Sequence, residues 1–193
     1  MARARPRARR RLRYLFAAAA VPGTLLAAAG AAEAADVEIT SDTATVNLDT
    51  YTGSTARIAP GVTVANNVTA TLQAWGVTNE GTINGGNAVS LRQGGSVTNT
   101  ASGRINSTLS GIVIGTSGAG GGAGVVENFG TIAGGIGEGV TLFDGGQVIN
   151  GTGATISTAT GLNAVSIGQG ASRSVVNNGT ISATSPAASA PAC

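Results

Sequence analysis

Histidine and lysine are absent from this sequence of 193 residues, and its single cysteine, Cys193, is the last residue. Nucleophile systems of the Ser-His-Asp, Cys-His and Ser-Lys types each need one of the absent residues, as does a histidine-ligated metal. A lone cysteine cannot close an internal disulfide. The sequence therefore predicts a chain that is not an enzyme, with no catalytic, cofactor-binding or metal-binding residues, held together by packing and backbone pairing.

Aromatic and charged residues are also scarce. Aromatic residues make up 3% of the chain and charged residues 10%, where roughly 25% charged is usual. Glycine contributes 31 residues and hydrophobic residues 42%. This composition does not suit an ordinary globular core, but β-branched residues recur at regular places, so a repeating chain could bury its apolar surface.

The first 34 residues have the pattern of a secretory signal peptide. Seven arginines lie within residues 3–13, a short apolar segment spans residues 15–29, and residues 32–34 read as an A-x-A cleavage site. The apolar segment is shorter than the ~20 residues of a membrane span. We expect an exported chain that is periplasmic if alone, and at the cell surface or extracellular if joined to a translocator.

Removal of that segment changes the sign of the charge. From residue 35 onward the chain contains four arginines and eight carboxylates, so its net charge is negative. No basic stripe is left that could follow a phosphate backbone. The sequence therefore predicts no nucleic-acid partner.

A V-x-N triplet recurs five times from residue 77 onward. Its copies are Val77–Asn79, Val97–Asn99, Val126–Asn128, Val148–Asn150 and Val175–Asn177. Three copies run directly into Gly-Thr-Ile, and an alternating apolar pair follows each isoleucine. Equivalent positions are 19 to 27 residues apart, as counted between Val64, Ile83, Ile105, Ile132, Ile156 and Ile181. Such a period fits one coil of a solenoid.

Short alternating segments between glycines and asparagines predict three strands in each coil. The predicted fold is an all-β, parallel, right-handed β-helix of about five to six coils, preceded by the signal peptide. The predicted segments are residues 1–34 as signal peptide, 35–59 as N-terminal capping region, 60–183 as β-helix repeats and 184–193 as an Ala/Ser/Pro-rich tail. Candidates for an opening coil are Val46, Leu48 and Ile58.

The alternation also predicts which side chains stack in columns inside the coils. The predicted apolar columns are Ile83, Ile105, Ile132 and Ile156, then Val89, Ile112, Val140 and Val165, then Leu91, Ile114, Leu142 and Ile167. The asparagines from Asn79 to Asn177 form a further column, in which each amide is expected to bond to the next coil at a left-handed corner. Gly81, Gly130 and Gly179 are expected to supply the turn that follows.

This pattern resembles the repeats of autotransporter passenger domains. The resemblance rests on V-x-N-x-G-T-I followed by G-V-x-L and G-G-x-V-x-N, as at residues 139–142 and 145–150, and it covers about residues 60–183. It implies an exported bacterial surface protein whose passenger is carried across the outer membrane by a C-terminal β-barrel. No run of alternating ~10-residue barrel strands follows Ile181, so we expect that translocator not to be encoded in this chain.

Four acids within the repeats are the only candidates for acid-base chemistry: Glu80, Glu127, Glu138 and Asp144. A polysaccharide-cleaving β-helix needs clustered carboxylates or a calcium cage. These four are scattered, and Glu80 and Glu127 stand at neighbouring offsets beside the asparagine column. We expect them to be solvated acids that keep the rod soluble.

Two glycine-rich segments and three aromatic residues remain. Residues 118–124 lack the Lys-Ser/Thr of a phosphate loop and are expected to be a flexible insertion. Residues 134–139 resemble half of a calcium-binding nonapeptide, but Gly139 stands where aspartate is needed, so a corner is expected. Trp75, Phe129 and Phe143 are placed at corners, either packed there or exposed as contact residues.

The predicted function is that of an exported structural or adhesive β-solenoid. Its expected partner is a host or matrix surface or a glycan, and self-association is a further expectation. One alternative is a glycan-active β-helix enzyme, which would need two carboxylates aligned on one face. The other is a truncated gene product with no independent function.

Overall fold

A computed structural model of the chain describes residues 35–118, 120–160, 163–170 and 172–184. The predicted signal peptide and residues 185–193 of the predicted tail lie outside these ranges. Within them the chain forms eighteen β-strands that pair in parallel and one short 3-10 helix. The predicted all-β parallel solenoid is confirmed, with about six coils.

Each coil contributes two or three strands. The first four coils contain β1 (Val37–Ile39) and β2 (Thr43–Asn47); β3 (Thr55–Ile58) and β4 (Thr63–Ala70); β5 (Trp75–Asn79), β6 (Thr82–Ile83) and β7 (Val89–Leu91); and β8 (Gly95–Asn99), β9 (Arg104–Asn106) and β10 (Ile112–Ile114). The fifth and sixth coils contain β11 (Gly124–Asn128), β12 (Thr131–Gly134) and β13 (Val140–Leu142); and β14 (Gly146–Asn150), β15 (Thr155–Thr158) and β16 (Val165–Ile167). Two further strands, β17 (Arg173–Asn177) and β18 (Thr180–Ala183), stack on the sixth coil. The 3-10 helix, Leu48–Thr50, follows β2.

The strands stack into three ladders. Ladder A is a seven-stranded sheet in the order β1-β3-β5-β8-β11-β14-β17. Ladder B runs from the start of β4 through β6, β9, β12 and β15 to β18, and ladder C runs from the end of β4 through β7, β10 and β13 to β16. Ladders B and C belong to one eleven-stranded sheet, because β4 is long enough to pair with β6 through its first residues and with β7 through its last. The eleventh strand is β2, which also pairs with β4.

The segment predicted as a cap, residues 35–59, supplies the first coil and β3. Val37 pairs with Ala56, and Val46 pairs with Val68. The opening-coil candidates Val46, Leu48 and Ile58 are all buried. The solenoid therefore begins well before the first clear repeat.

The predicted apolar columns are present in register. Ile83, Ile105, Ile132 and Ile156 pair in sequence along ladder B and are fully buried. Ladder C stacks Val89 with Ile112, Val140 and Val165, and Leu91 with Ile114, Leu142 and Ile167. β-branched side chains suit these columns because their restricted rotamers pack well on a pleated surface.

The asparagine column is a continuous chain of side-chain hydrogen bonds. In each of the four steps from Asn79 to Asn177, the amide nitrogen donates to the side-chain oxygen of the next asparagine at 2.8 Å. Each of these nitrogens also donates to backbone carbonyls, as Asn128 Nδ2 does to Gly130 and Thr155. Every donation runs toward the C-terminal neighbour, a direction that the sequence pattern did not indicate.

The expected left-handed corners are not where the sequence placed them. The asparagines end strands of ladder A, and no described residue other than glycine has a positive φ. Gly81, Gly130 and Gly179 are required by close approach between coils instead of by turn geometry. A Cβ on Gly130 would stand 2.3 Å from the Gly103 carbonyl oxygen, and the other two glycines face similar contacts.

Trp75 is a strand residue in the core and not a corner residue, so that expectation was wrong. Its side chain is 1% exposed and lies in the same alternating row of β5 as Val77 and Asn79. Its partner in ladder A is Gly95, and glycines follow in the next two coils. Because glycine has no side chain, this column has room for one indole ring.

Carboxylates of the first coil bind backbone amides of the second. Asp36 Oδ2 accepts from the Ser54 and Thr55 N–H groups at 2.8 and 3.0 Å. Asp49 Oδ2 accepts from the Thr71 hydroxyl at 2.6 Å, and its carboxylate accepts from the Thr71 and Leu72 N–H groups. The bonds from Ser54 and Thr55 lower the pKa of Asp36 from its ordinary value of 3.8. The Thr71 hydroxyl, followed by the Leu72 and Thr71 N–H groups, lowers the pKa of Asp49.

The last described coil is open on its outer side. Val175, which occupies the buried column of Val148 and Val126, is 47% exposed, and Asn177 is exposed as well. Among the described residues β17 pairs only with β14. Arg173 of this strand stands in register with the buried Gly146.

Loss of one central amide should destabilise the rod. Asn128→Ala removes a donor and an acceptor from the column, leaving its buried neighbours short of partners, and should lower the free energy of unfolding by about 1–3 kcal/mol. Asn178→Ala, at an exposed position one residue beyond the column, should cost less than about 0.5 kcal/mol. Chemical denaturation of the full chain measures both, and equal midpoints would reject the column as a stabilising element.

Stability should fall in acid because Asp36 and Asp49 have lowered pKa values in the fold. Their contribution is present above an unfolded pKa of about 3.8 and is lost as the pH falls through the folded values. Asp36→Asn with Asp49→Asn should therefore flatten the dependence of Tm on pH below about pH 4. Glu127→Gln, a control for loss of one negative charge, should keep the wild-type slope. A double variant with an unchanged slope would show that these carboxylates do not couple folding to protons.

Candidate functional site

One corner of the solenoid is much longer than its equivalents. Three residues join β7 to β8 and β13 to β14, whereas residues 115–123 join β10 to β11. In repeat proteins, insertions of this kind map to loops on one face, often the binding face. This insertion therefore marks the place to look for a site.

A groove lies beside the insertion, on the outer side of ladder C. Two adjoining concavities of about 330 and 430 Å³ share Thr116, Ser117 and Phe143. The first is lined also by Asn87, Ser90 and Arg92, and the second by Asp144 and Gln169. Ligand pockets typically span roughly 300–1,000 Å³, so the groove is of a suitable size for a small ligand.

Register explains why the groove is open. Leu91, Ile114 and Leu142 stack in ladder C, so the residues that follow them, Arg92, Gly115 and Phe143, stand on successive coils. Gly115 carries no side chain. Arg92 and Phe143 are thus two coils apart, roughly 10 Å by the spacing of paired strands, with a glycine floor between them.

Asp144 fastens the insertion to the next coil. Its Oδ2 accepts from the Thr116 N–H at 3.2 Å. Gly115, with φ +85°, and Gly121 allow this contact, since a Cβ on either would stand 2.4 or 2.5 Å from that oxygen. The insertion lies between Ile114 and Val126, as the sequence indicated, and the last residue of its glycine run, Gly124, is the first residue of β11 and is buried. Several glycines of the insertion are needed because other coils approach their backbone closely.

Arg92 and Phe143 are the two side chains of the groove with most freedom to meet a ligand. Arg92 is exposed, and its guanidinium has no hydrogen bond or ion pair within the described part of the chain. Phe143 is 36% exposed, and Phe129, at another corner, is 46% exposed. The corner placement of both phenylalanines is confirmed.

Glu80 belongs to an ion-paired cluster on ladder A. Arg57 lies between Glu38 and Glu80 and pairs with both carboxylates, with Nη2 at 2.5 Å from Glu80 Oε2. The Glu80 hydrogen bond is the main cause that raises the pKa of Arg57. Solvent screens partly exposed pairs of this kind, so they contribute little to stability. The cluster ties three coils together at the N-terminal end.

The other acids of the repeats also bind groups of their own chain. Glu127 accepts from the Thr98 hydroxyl at 3.4 Å and Glu138 from the Thr141 hydroxyl at 3.3 Å. The four acids of the repeats are partly buried, so water reaches them only in part. Glu80 and Glu127 lie two coils apart at different positions of ladder A.

The second glycine-rich segment is a corner, as expected from its sequence. Gly134 ends β12, residues 135–139 form the connection, and Val140 begins β13. Ile136 projects from this corner and is 69% exposed. Nothing in its contacts indicates a ligand.

The described ranges contain neither a cluster of metal-ligating side chains nor a membrane-spanning helix. No group of three or more His, Cys, Asp or Glu residues there could hold a metal ion. No helix in the same ranges is long and apolar enough to cross a membrane.

Among the groove residues, sequence reasoning singled out Phe143, Asp144 and Gly118 and missed the others. Asn87, Ser90, Arg92, Thr116 and Ser117 belong to no motif and are separated by up to thirty positions. One signal was available, since the longest interval between coil positions, Ile105 to Ile132, contains the insertion. Its length indicated a loop but not which side chains would meet beside it.

Comparison of this chain with protein-family models, curated proteins and solved structures finds no match.

Proposed function

We propose that this chain is an exported adhesive β-solenoid of the passenger type, a rod that holds a binding groove away from the cell. The observation that carries the proposal is the groove itself. A nine-residue corner, six residues longer than two of its equivalents, interrupts an otherwise regular solenoid, and polar side chains from four coils line the space beside it. A rigid scaffold with one irregular loop is typical of proteins that bind through that loop.

The outer surface of the rod supports an adhesive role. The outward positions of ladder B carry uncharged hydroxyl residues in register, interrupted once by Arg104. They are Thr82, Thr131, Thr155 and Thr180. Hydroxyl groups both donate and accept hydrogen bonds, so this surface suits polar polymers better than apolar partners.

The acids of the rod favour binding over catalysis. Glu80, Glu127 and Asp144 each hold a neighbouring coil through an ion pair or a hydrogen bond, and Glu138 accepts from the Thr141 hydroxyl of its own coil. A general acid or base must be within reach of a substrate proton. Carboxylates already engaged in structural contacts are poor candidates for that role.

Export is proposed on the sequence pattern of residues 1–34 and on the passenger resemblance. The described fold is compatible with it, because the coils are joined by parallel pairing and need no disulfide. A translocator barrel supplied by fusion would move the rod to the surface.

Self-association through β17 is part of the proposal. Among the described residues the outer edge of β17 has no partner, and with Val175 exposed it can accept a further strand. Arg173 occupies the inward column there, and charged residues pointing inward at an edge are a known device against such pairing. We infer that Arg173 restrains association without abolishing it.

Adhesion can be tested by display on a Gram-negative cell. The full chain fused to a translocator barrel should make cells adhere to polysaccharide-coated plates. The matched control replaces residues 115–123 with Arg-Gln-Gly, the corner between β7 and β8. It should keep the wild-type circular dichroism spectrum and lose adhesion at least fivefold.

Two results would contradict the adhesive role: equal adhesion of both displayed chains, or none by either. Export is scored separately on the unfused chain, which should be cleaved near Ala34 and recovered from the periplasm. An uncleaved chain in the cytoplasm would contradict export.

Self-association through the edge of β17 can be tested by removing the charge of Arg173. Arg173→Gly restores the residue found at that position in the three preceding coils and should increase the associated fraction in analytical ultracentrifugation at least twofold. Arg104→Gly, on another ladder, removes the same charge and should leave association unchanged. An unchanged fraction for Arg173→Gly would show that β17 is not the associating edge.

A further inference from the structure

We propose that the groove between Arg92 and Phe143 binds an acidic saccharide, with the sugar carboxylate on Arg92 and a sugar ring against Phe143. This inference rests on the adhesive role proposed above and names its ligand class. It uses the groove's chemistry, which is a cation, an aromatic ring and neutral hydroxyl and amide groups around a glycine floor.

The cation is the first element. Arg92 is exposed, is not engaged by any described acid, and lies on the wall of the groove. A guanidinium presents paired N–H donors whose geometry matches a planar carboxylate. Asp144, the acid lining the adjoining concavity, is already occupied by the Thr116 N–H. An anionic ligand group therefore finds a free cation here.

The aromatic ring is the second element. Phe143 stands two coils from Arg92, and the coil between them contributes only Gly115 at this position. The face of an aromatic ring carries partial negative charge, so it attracts the polarised C–H groups of a sugar face. A gap of roughly 10 Å, two strand spacings, leaves room for a ring between the two side chains.

The neutral polar groups are the third element. Ser90, Thr116, Ser117 and Asn87 line the same space. A saccharide places hydroxyl groups around its edge, and each of these side chains can donate or accept a bond to one. A single arginine without further basic residues in the lining does not suit a nucleic acid, whose affinity comes from many phosphate contacts.

The experiment measures binding of the full chain to oligogalacturonate, a carboxylate-bearing saccharide, by isothermal titration calorimetry. A neutral oligosaccharide of the same length and a sulfated one are run alongside. Oligogalacturonate should bind at least tenfold more tightly than the neutral oligosaccharide, and more tightly than the sulfated one.

Variants then locate the site. Arg92→Gln and Phe143→Ala should each weaken oligogalacturonate binding about tenfold or more, with unchanged circular dichroism. Arg104→Gln is the matched control, because Arg104 is also exposed and unpaired within the described residues but lies on ladder B. It should bind like the wild type.

Several outcomes would overturn the inference. They are no binding of oligogalacturonate, equal binding of the neutral oligosaccharide, tighter binding of the sulfated one, or equal loss in Arg92→Gln and Arg104→Gln. If displayed cells adhere through the insertion while oligogalacturonate fails to bind, the ligand class is wrong and the adhesive role stands. If the cells do not adhere, the adhesive role itself is wrong.

Discussion

Parallel pairing of each strand with its equivalent one coil later is the constraint on which the rest of this structure depends. It forces like residues into columns, so each column must tolerate its own repetition. Isoleucine, valine and leucine do so by packing, and asparagine does so because an amide both donates and accepts. A charge could not be repeated in this way, which accounts for the low charge content of the chain.

The same constraint concentrates variation at the corners. Residues within strands are tied to neighbours on both sides, whereas corners need only return the chain to the next strand. The groove is therefore formed where one corner lengthens and two others carry Arg92 and Phe143. Close coil contacts, such as those at Gly115 and Gly121, hold the insertion against the rod.

Much of the fold could be predicted from the sequence, because equivalent positions in successive repeats are the residues that pair between coils. The columns of Ile105 and Leu142 follow from period-2 alternation alone. Trp75 was misplaced because its column continues as glycines, which gave no alternating apolar pattern to align. The groove could not be predicted, since Arg92 and Phe143 come together only through the coil between them and the missing side chain of Gly115.

The uniform direction of the asparagine column gives the rod an electrical polarity. Four amide dipoles point the same way, and aligned dipoles add, as peptide dipoles do in a helix. At one end the Asn79 side-chain oxygen is buried with no hydrogen-bond donor, above Ile58 in the previous coil. At the other end Asn177, the last asparagine of the column, is exposed, and its side-chain oxygen accepts from Asn150 Nδ2. The two ends are thus chemically distinct, and the amide column can be extended only from the C-terminal one.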